Sequence, residues 1–224
     1  VALAVSTGVA YVRRLVEDGI DVADAFAQVE FRLPATADQF LTIAVLRALR
    51  RVWARVGELA GVPEDVRGAR IHAVTAWRML TTTDPWVNVL RGTLACFGAA
   101  AGGAEAITVL PYDHLLGLPE AFSRRLARNT QSLLAQESHV GRVADPAGGS
   151  WYVESLTDDV AQHAWSRVEE IDAAGGILQP SVLADVRARI EATSAQRLAA
   201  LSTRAQPLTG TSTFPLADEQ APQR

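Results

Sequence analysis

Lysine is absent from this chain, because all 21 basic residues are arginine. This absence excludes a Schiff-base lysine and the lysine of a Walker-type phosphate loop. Cysteine is nearly absent as well, since Cys96 stands alone within an apolar stretch. A single thiol cannot form an internal disulfide, which agrees with a reducing compartment. We therefore expect a cytoplasmic protein in which Cys96 is a small buried hydrophobic residue.

Long apolar runs and basic clusters are also missing. No run reaches the length that spans a bilayer, and the apolar Val1–Val5 stretch lacks the features of a signal peptide. The formal net charge of -4, with no basic stripe among aromatics, argues against nucleic-acid binding. The four histidines are dispersed and show no metal-ligand spacing. We predict no membrane, nucleic-acid or metal partner.

The residues that are present alternate between helical patterns and short apolar runs. Hydrophobic residues make up 49% of the 224 positions, enough for a sizeable core. Helical spacing predicts six helices: Val5–Glu17, Asp38–Val56, one that begins at Thr83-Asp84-Pro85, Pro119–Gln136, Thr157–Ala173 and Pro180–Thr203. Thr83 or Asp84 is the expected cap of the third helix, and Asp158 and Asp159 are expected in the first turn of the fifth.

Four segments are predicted to be extended: Val29–Leu33, Arg70–Thr75, Ala106–Leu110 and part of Arg142–Glu154. Strands that alternate with helices predict an α/β chain with a parallel sheet. A closed (β/α)₈ barrel needs eight strands and about 250 residues, so the pattern leaves half a barrel or a small open sheet. We expect one domain over residues 1–205 and an extended or disordered tail over residues 206–224, which is rich in Pro, Thr, Ser and Gln.

Four motifs resemble the methylmalonyl-CoA mutase family. The stretch Arg70–Arg91 is similar to the family pattern R-T-H-x-Q-T-S-G-W-S-L-T-x-x-D-P-Y-N-N-x-x-R. Ala127–Gln131 reads A-R-N-T-Q, Gln136–Ser138 reads Q-E-S, and Val143–Ser150 resembles V-x-D-P-x-G-G-S, all in the family's order and spacing. The resemblance runs from about Ala4 to Pro215 and is highly specific.

The resemblance implies a partial (β/α)₈ TIM-type barrel, about the last four β/α units followed by C-terminal helices. In the family the barrel surrounds an acyl-CoA ester, and adenosylcobalamin caps it during radical isomerisation of (R)-methylmalonyl-CoA and succinyl-CoA. By this resemblance the chain begins after the fourth strand, so much of the substrate pocket lies outside it.

Departures from the pattern point to the family's non-catalytic small subunits. Positions where catalytic members place groups that contact CoA, cobalamin or the adenosyl moiety hold other residues here: Val29, Phe31, Val74, Trp77, Leu110 and His114. Apolar side chains offer no hydrogen bond to a phosphate or an amide, and Trp77 fills space that glycine leaves open. We therefore predict no catalytic residue.

His72 is retained from the family pattern and is the single cofactor-binding candidate, although packing inside a filled barrel is the favoured role for a polar residue at this strand end. Asp113-His114 resembles the cobalamin motif D-x-H-x-x-G, but its spacing is wrong, and we reject that interpretation. The resemblance suggests that Arg128–Gln131 forms a buried polar network bracing the sheet. Asp145 with Gly148 and Gly149 is expected to form a structural turn.

Three functions remain open. The chain is either a small-subunit polypeptide that packs against a catalytic large subunit, which binds adenosylcobalamin, or a competent mutase fragment with altered acyl-CoA specificity. A scaffold for the mutase-associated chaperone system is the third, and no nucleotide motif supports it.

Overall fold

The computed structural model describes residues 1–219 as an α/β structure. Its strands are β1 (Glu30–Ala35), β2 (Arg70–Thr75) and β3 (Ala106–Thr108). Within the described residues they are accompanied by seven α-helices: α1 (Ala2–Glu17), α2 (Val22–Ala27), α3 (Gln39–Leu59), α4 (Val87–Ala101), α5 (Ala121–Gln136), α6 (Trp151–Ala173) and α7 (Pro180–Ser202). The α/β prediction is confirmed.

The three strands form one parallel sheet in the order β1-β2-β3, which is also their order along the chain. Arg32 lies opposite His72 in this register, and His72 lies opposite Ala106. Parallel neighbours need a crossover connection, and α3 and α4 provide the two crossovers. The chain therefore advances by one strand with each β/α unit.

The two faces of the sheet differ in exposure. Alternate residues are buried under the helices on one face: Phe31, Leu33, Ala35, Ile71 and Ala73. The opposite face carries exposed or half-buried side chains: Glu30, Arg32, Pro34, Arg70, His72, Val74, Ala106 and Thr108. Parallel sheets are normally covered on both faces, whereas the helices of the described residues cover one face of this sheet.

Aromatic packing attaches α3 to β1. The Trp53 ring is fully buried and stacks on Phe26 with ring centroids 4.1 Å apart. It also packs edge-to-face against the Phe31 ring, with ring centroids 4.9 Å apart. Such pairs add to the free energy gained by burying the large rings, so this trio fixes how the helix layer sits on the sheet.

Helix ends confirm some sequence predictions and correct others. The predicted start of α3 at Asp38 is confirmed, and Asp38 is its N-cap, since its Oδ1 accepts a hydrogen bond from Leu41 N at 3.1 Å. The predicted cap of α4 is wrong, because α4 begins only at Val87 and has no side-chain cap. Asp84 instead takes a left-handed backbone conformation with φ +44°, and the chain turns there before the helix starts.

The predicted fourth extended segment is also wrong. Residues 142–150 form a turn closed by the hydrogen bond from Gly148 N to the Asp145 carbonyl at 2.8 Å, and α6 already begins at Trp151. Asp158 and Asp159 therefore lie inside α6 and not in its first turn. The sheet has three strands within the described residues because this glycine-rich stretch folds back on itself.

The segment after α7 returns to the start of α4. Arg91 Nη2 donates to the Thr209 carbonyl at 2.7 Å, and the neighbouring Gly210 is buried. Residues 220–224 of the predicted tail lie outside the described residues, and the domain boundary at 205/206 stays a prediction. Across residues 1–219, every helix is too short or too polar to cross a membrane.

Candidate functional site

His72 occupies the middle of the open face of the sheet. Its half-buried ring reaches across to β3, where Nε2 lies 2.8 Å from Thr108 Oγ1. Arg32 is its register neighbour on β1 and is exposed on the same face. The structure thus places His72 on the open face of the sheet together with two polar residues, Arg32 and Thr108.

The carboxyl edge of the sheet is tied together by Thr75. This buried hydroxyl, at the last position of β2, accepts a hydrogen bond from Leu110 N at 2.8 Å. The contact holds the loop after β3 against the end of β2. Ligands of α/β proteins bind at the carboxyl ends of parallel strands, so this edge is the place to look for ligand groups.

Val29 and Phe31 do not face this edge or the open face. Both side chains are buried on the helix-covered side, and Phe31 is part of the aromatic trio with Trp53. Neither residue is therefore available to a CoA ester, and their substitution by apolar residues serves core packing.

The remaining replaced positions lie around the carboxyl edge but present few polar groups. Val74 is half-buried on the open face, and Trp77 begins a short 3₁₀ turn directly after β2 with 67% of its surface exposed. Leu110 is half-buried, and His114 is exposed on the loop after β3. These side chains supply no carboxylate or amide for ribose hydroxyls or a CoA chain, so they do not fit acyl-CoA or adenosylcobalamin.

A buried asparagine that the sequence analysis did not single out organises the same edge. Asn88 is 2% exposed, and its Nδ2 donates to the carbonyls of Thr81 at 2.8 Å and Tyr112 at 2.9 Å. Its Oδ1 accepts from Thr81 N at 3.0 Å and from Arg91 Nη1 at 2.9 Å. One amide therefore joins the loop after β2 to the loop after β3. Its signal in the sequence is its place inside the Arg70–Arg91 motif.

Asp113, next to Tyr112, is buried and only partly satisfied. Its Oδ2 accepts a hydrogen bond from Glu120 N at 3.1 Å, whereas Oδ1 has no partner among the described residues. His114 points to solvent, so the two adjacent side chains do not act together. Asp113 therefore steadies the turn that leads into α5.

The predicted polar network at Arg128–Gln131 is wrong. Arg128 and Asn129 are exposed, and Thr130 Oγ1 donates to the Leu126 carbonyl of its own helix at 3.0 Å. This part of α5 turns its polar residues outward, so within the described residues it does not brace the sheet.

The expected turn at Asp145 is confirmed, and an arginine of α3 holds it. Arg47 Nη2 donates to Asp145 Oδ2 and to Glu154 Oε1, both at 2.8 Å. The donated hydrogen bond from Arg47, together with one from Gly149 N, lowers the pKa of the Glu154 carboxyl. Arg47, whose side chain is 16% exposed, was also missed, although it lies on the otherwise apolar inner face of a helix.

Two other chemistries find no support in the part of the chain that the structure describes. No group of three or more His, Cys, Asp or Glu side chains lies close enough to hold a metal ion there. Burial raises the pKa of the Cys96 thiol to about 11, which keeps it protonated and a poor nucleophile.

Known proteins that this chain matches include methylmalonyl-CoA mutases. The family model described as methylmalonyl-CoA mutase matches residues 1–224. The chain is 56% identical over 99% of its length to the methylmalonyl-CoA mutase small subunit of Streptomyces virginiae and covers 36% of that protein. It is 52% identical to the small subunit of Propionibacterium freudenreichii subsp. shermanii, over 96% of this chain and 34% of that protein.

The large subunit of the mutase is a more distant relative. The Streptomyces virginiae large subunit is 37% identical over 98% of this chain and 30% of that protein. The chain spans about a third of the length of the curated relatives it matches. With a family match over every residue and relatives well above 30% identity, the chain belongs to the methylmalonyl-CoA mutase family.

Proposed function

We propose that this chain is a segment of the small, non-catalytic subunit of a methylmalonyl-CoA mutase. The observation that carries the proposal is a comparison within one organism: identity is 56% to the small subunit of Streptomyces virginiae and 37% to its large subunit. The replaced side chains at the carboxyl edge support the same conclusion. A competent fragment with altered specificity is not favoured, because it would need ligand groups where Val74 and Leu110 stand.

The proposed partner is the catalytic large subunit, in a heterodimer. The large subunit would bind adenosylcobalamin and the acyl-CoA substrate and isomerise (R)-methylmalonyl-CoA and succinyl-CoA, a reaction of propionate metabolism. This chain would contribute assembly and structure. The proposed location is the cytoplasm, which the single buried thiol of Cys96 supports.

The proposed architecture is part of a (β/α)₈ barrel. Three consecutive parallel strands with helices on one side, and an exposed opposite face, support it. Unpaired strand edges favour association with further strands, and the small subunits that this chain matches are about three times as long. The remaining strands would cover the face that carries His72.

Binding and turnover measurements on purified components test the function. The chain is mixed with a purified mutase large subunit, and co-elution, adenosylcobalamin binding and turnover are measured for each component and for the mixture. We expect co-elution, with cofactor binding and turnover found only where the large subunit is present. Tight adenosylcobalamin binding by this chain alone would refute the non-catalytic assignment.

His72 stays the proposed cofactor contact of this chain, supported by its place on the open face and its match to the family motif. The variants His72→Ala and His72→Gln, measured in the complex, separate contact from packing. A fall in adenosylcobalamin affinity assigns the contact to His72. Unchanged affinity with lowered thermal stability assigns the ring to packing against Thr108.

A further inference from the structure

Residues 208–213, which follow α7, form a compact turn that we call the strap. The Leu208 carbonyl accepts hydrogen bonds from Ser212 N at 2.9 Å and from Thr213 N at 3.1 Å. Gly210 N donates to the Thr213 carbonyl at 2.8 Å, and Leu208 N donates to Ser212 Oγ at 2.8 Å. These internal hydrogen bonds give the strap a defined shape of its own.

The strap lies against the loop after β2, residues 76–86, and Arg91 of α4 links the two. Its Nη2 donates to the Thr209 carbonyl at 2.7 Å, and its Nη1 donates to Thr81 Oγ1 at 3.0 Å. Because a guanidinium presents its donors in a fixed fork, one side chain sets the distance between the strap and the loop.

Gly210 allows the strap to approach the loop closely. It is buried and has a φ of +80°, a backbone conformation that favours glycine. A methyl group in place of its hydrogen would lie 2.8 Å from Asp84 Oδ2 and 3.0 Å from Val87 Cγ2. Farther along, Glu219 Oε1 accepts a hydrogen bond from Asp84 N at 2.5 Å. The chain after α7 therefore contacts the loop where it turns into α4.

A second set of contacts joins the same loop to the loop after β3. The Trp86 ring stacks on Tyr112 with ring centroids 4.5 Å apart. Asn88 Nδ2 donates to the carbonyls of Thr81 and Tyr112. The loop after β2 is thus fixed both to its neighbour at the carboxyl edge, where α/β proteins bind ligands, and to the strap.

We propose that the strap is a conformational lock on the loop after β2. While the strap is seated on Arg91 and Asp84, the loop is held in place at the carboxyl edge, and when the strap leaves, the loop becomes mobile. The seat consists of few contacts, and Thr209 is exposed, as is typical of elements that open at low energetic cost. The inference goes beyond the proposed function and does not depend on it, because both the lock and the loop belong to this chain.

Amide hydrogen exchange in the full chain, followed by mass spectrometry, tests the lock with the variant Gly210→Ala. We expect exchange in the strap and in residues 76–86 to become about tenfold faster than in the wild type, because the added methyl group displaces the strap. The matched control is Gly149→Ala. Its φ of +79° imposes the same backbone strain, but nothing lies within 4 Å of the added methyl group, so we expect wild-type exchange in both segments. Amides of Arg70–Thr75 report on the core and should exchange as in the wild type.

Ser212→Ala separates the lock from a local clash. It removes a hydroxyl whose hydrogen bonds, within the described residues, go to Leu208 of the strap itself. We expect faster exchange in residues 76–86 here too, because an opened strap no longer seats on the loop. Faster exchange in the strap with wild-type exchange in residues 76–86 would overturn the proposal, and so would wild-type exchange in both segments. If Gly210→Ala also loosens the core, Ser212→Ala decides by the same two outcomes.

Discussion

Replacing Asn88 by leucine should destabilise the fold by about 4 kcal/mol. Leucine has the same branched arrangement of four side-chain heavy atoms as asparagine, so the substitution removes hydrogen bonds without opening a cavity, and its greater bulk acts in the same direction. It leaves Thr81 N, the Thr81 carbonyl and the Tyr112 carbonyl without their partner. The half-buried Thr81 groups should each cost about 1 kcal/mol and the buried Tyr112 carbonyl about 2 kcal/mol, because unpaired buried groups lose their hydration.

Urea denaturation followed by tryptophan fluorescence and circular dichroism measures this loss, with ΔG taken from the midpoint at an unchanged slope. Thr93→Val in the same helix is the matched control. The Thr93 hydroxyl donates to the Val89 carbonyl at 2.9 Å, which the helix already satisfies, so we expect a change within about 0.5 kcal/mol. A loss below about 1 kcal/mol for Asn88→Leu would refute the role of Asn88 in joining the two loops.

Two further predictions concern the core. Trp53→Ala should lower the free energy of unfolding, measured in urea, by about 3–5 kcal/mol because it empties the space between Phe26 and Phe31. The control Trp77→Ala, at an exposed tryptophan, should change it by no more than about 0.5 kcal/mol. Equal losses in the two variants would show that the aromatic trio does not anchor α3. Cys96 should react with iodoacetamide about 100-fold more slowly in the folded chain than in urea, since burial raises its pKa from 9.0 to about 11. Equal rates would place the thiol at the surface.

Strand positions were predictable where burial alternates along the chain. Arg70–Thr75 is confirmed to the residue, because every second side chain there packs under the helices. The prediction of an extended segment within Arg142–Glu154 was wrong. Its few apolar residues suggested a strand, whereas Asp145 and the two glycines turn the chain. The partner that fixes this turn, Arg47, is about a hundred residues away, and local pattern carries no information about it.

The candidate site was predictable in its location but not in its contacts. The motif placed His72 on β2, yet its partner Thr108 lies on another strand and became visible only through the register. Val29 and Phe31 were expected where ligand groups stand, but the strand turns both toward the helices. Since side chains alternate along a strand, a shift of one residue along the sequence moves a side chain from the open face of the sheet to the core.

This fold offers one explanation for two observations: the chain keeps the family's motif residues, and it has apolar side chains where the resemblance predicts ligand-binding ones. Asn88 joins two loops, Thr75 holds the loop after β3, and Asp145 is fixed by Arg47. Each of these motif residues therefore has a structural role in this fold that does not depend on a bound cofactor. Val74 and Leu110, which the family resemblance aligned with ligand-binding positions, make no such contacts through their side chains and can be apolar without loss of these interactions. In this chain the motif matches therefore reflect the scaffold, and its chemistry must be judged from the side chains that stand between the motif residues.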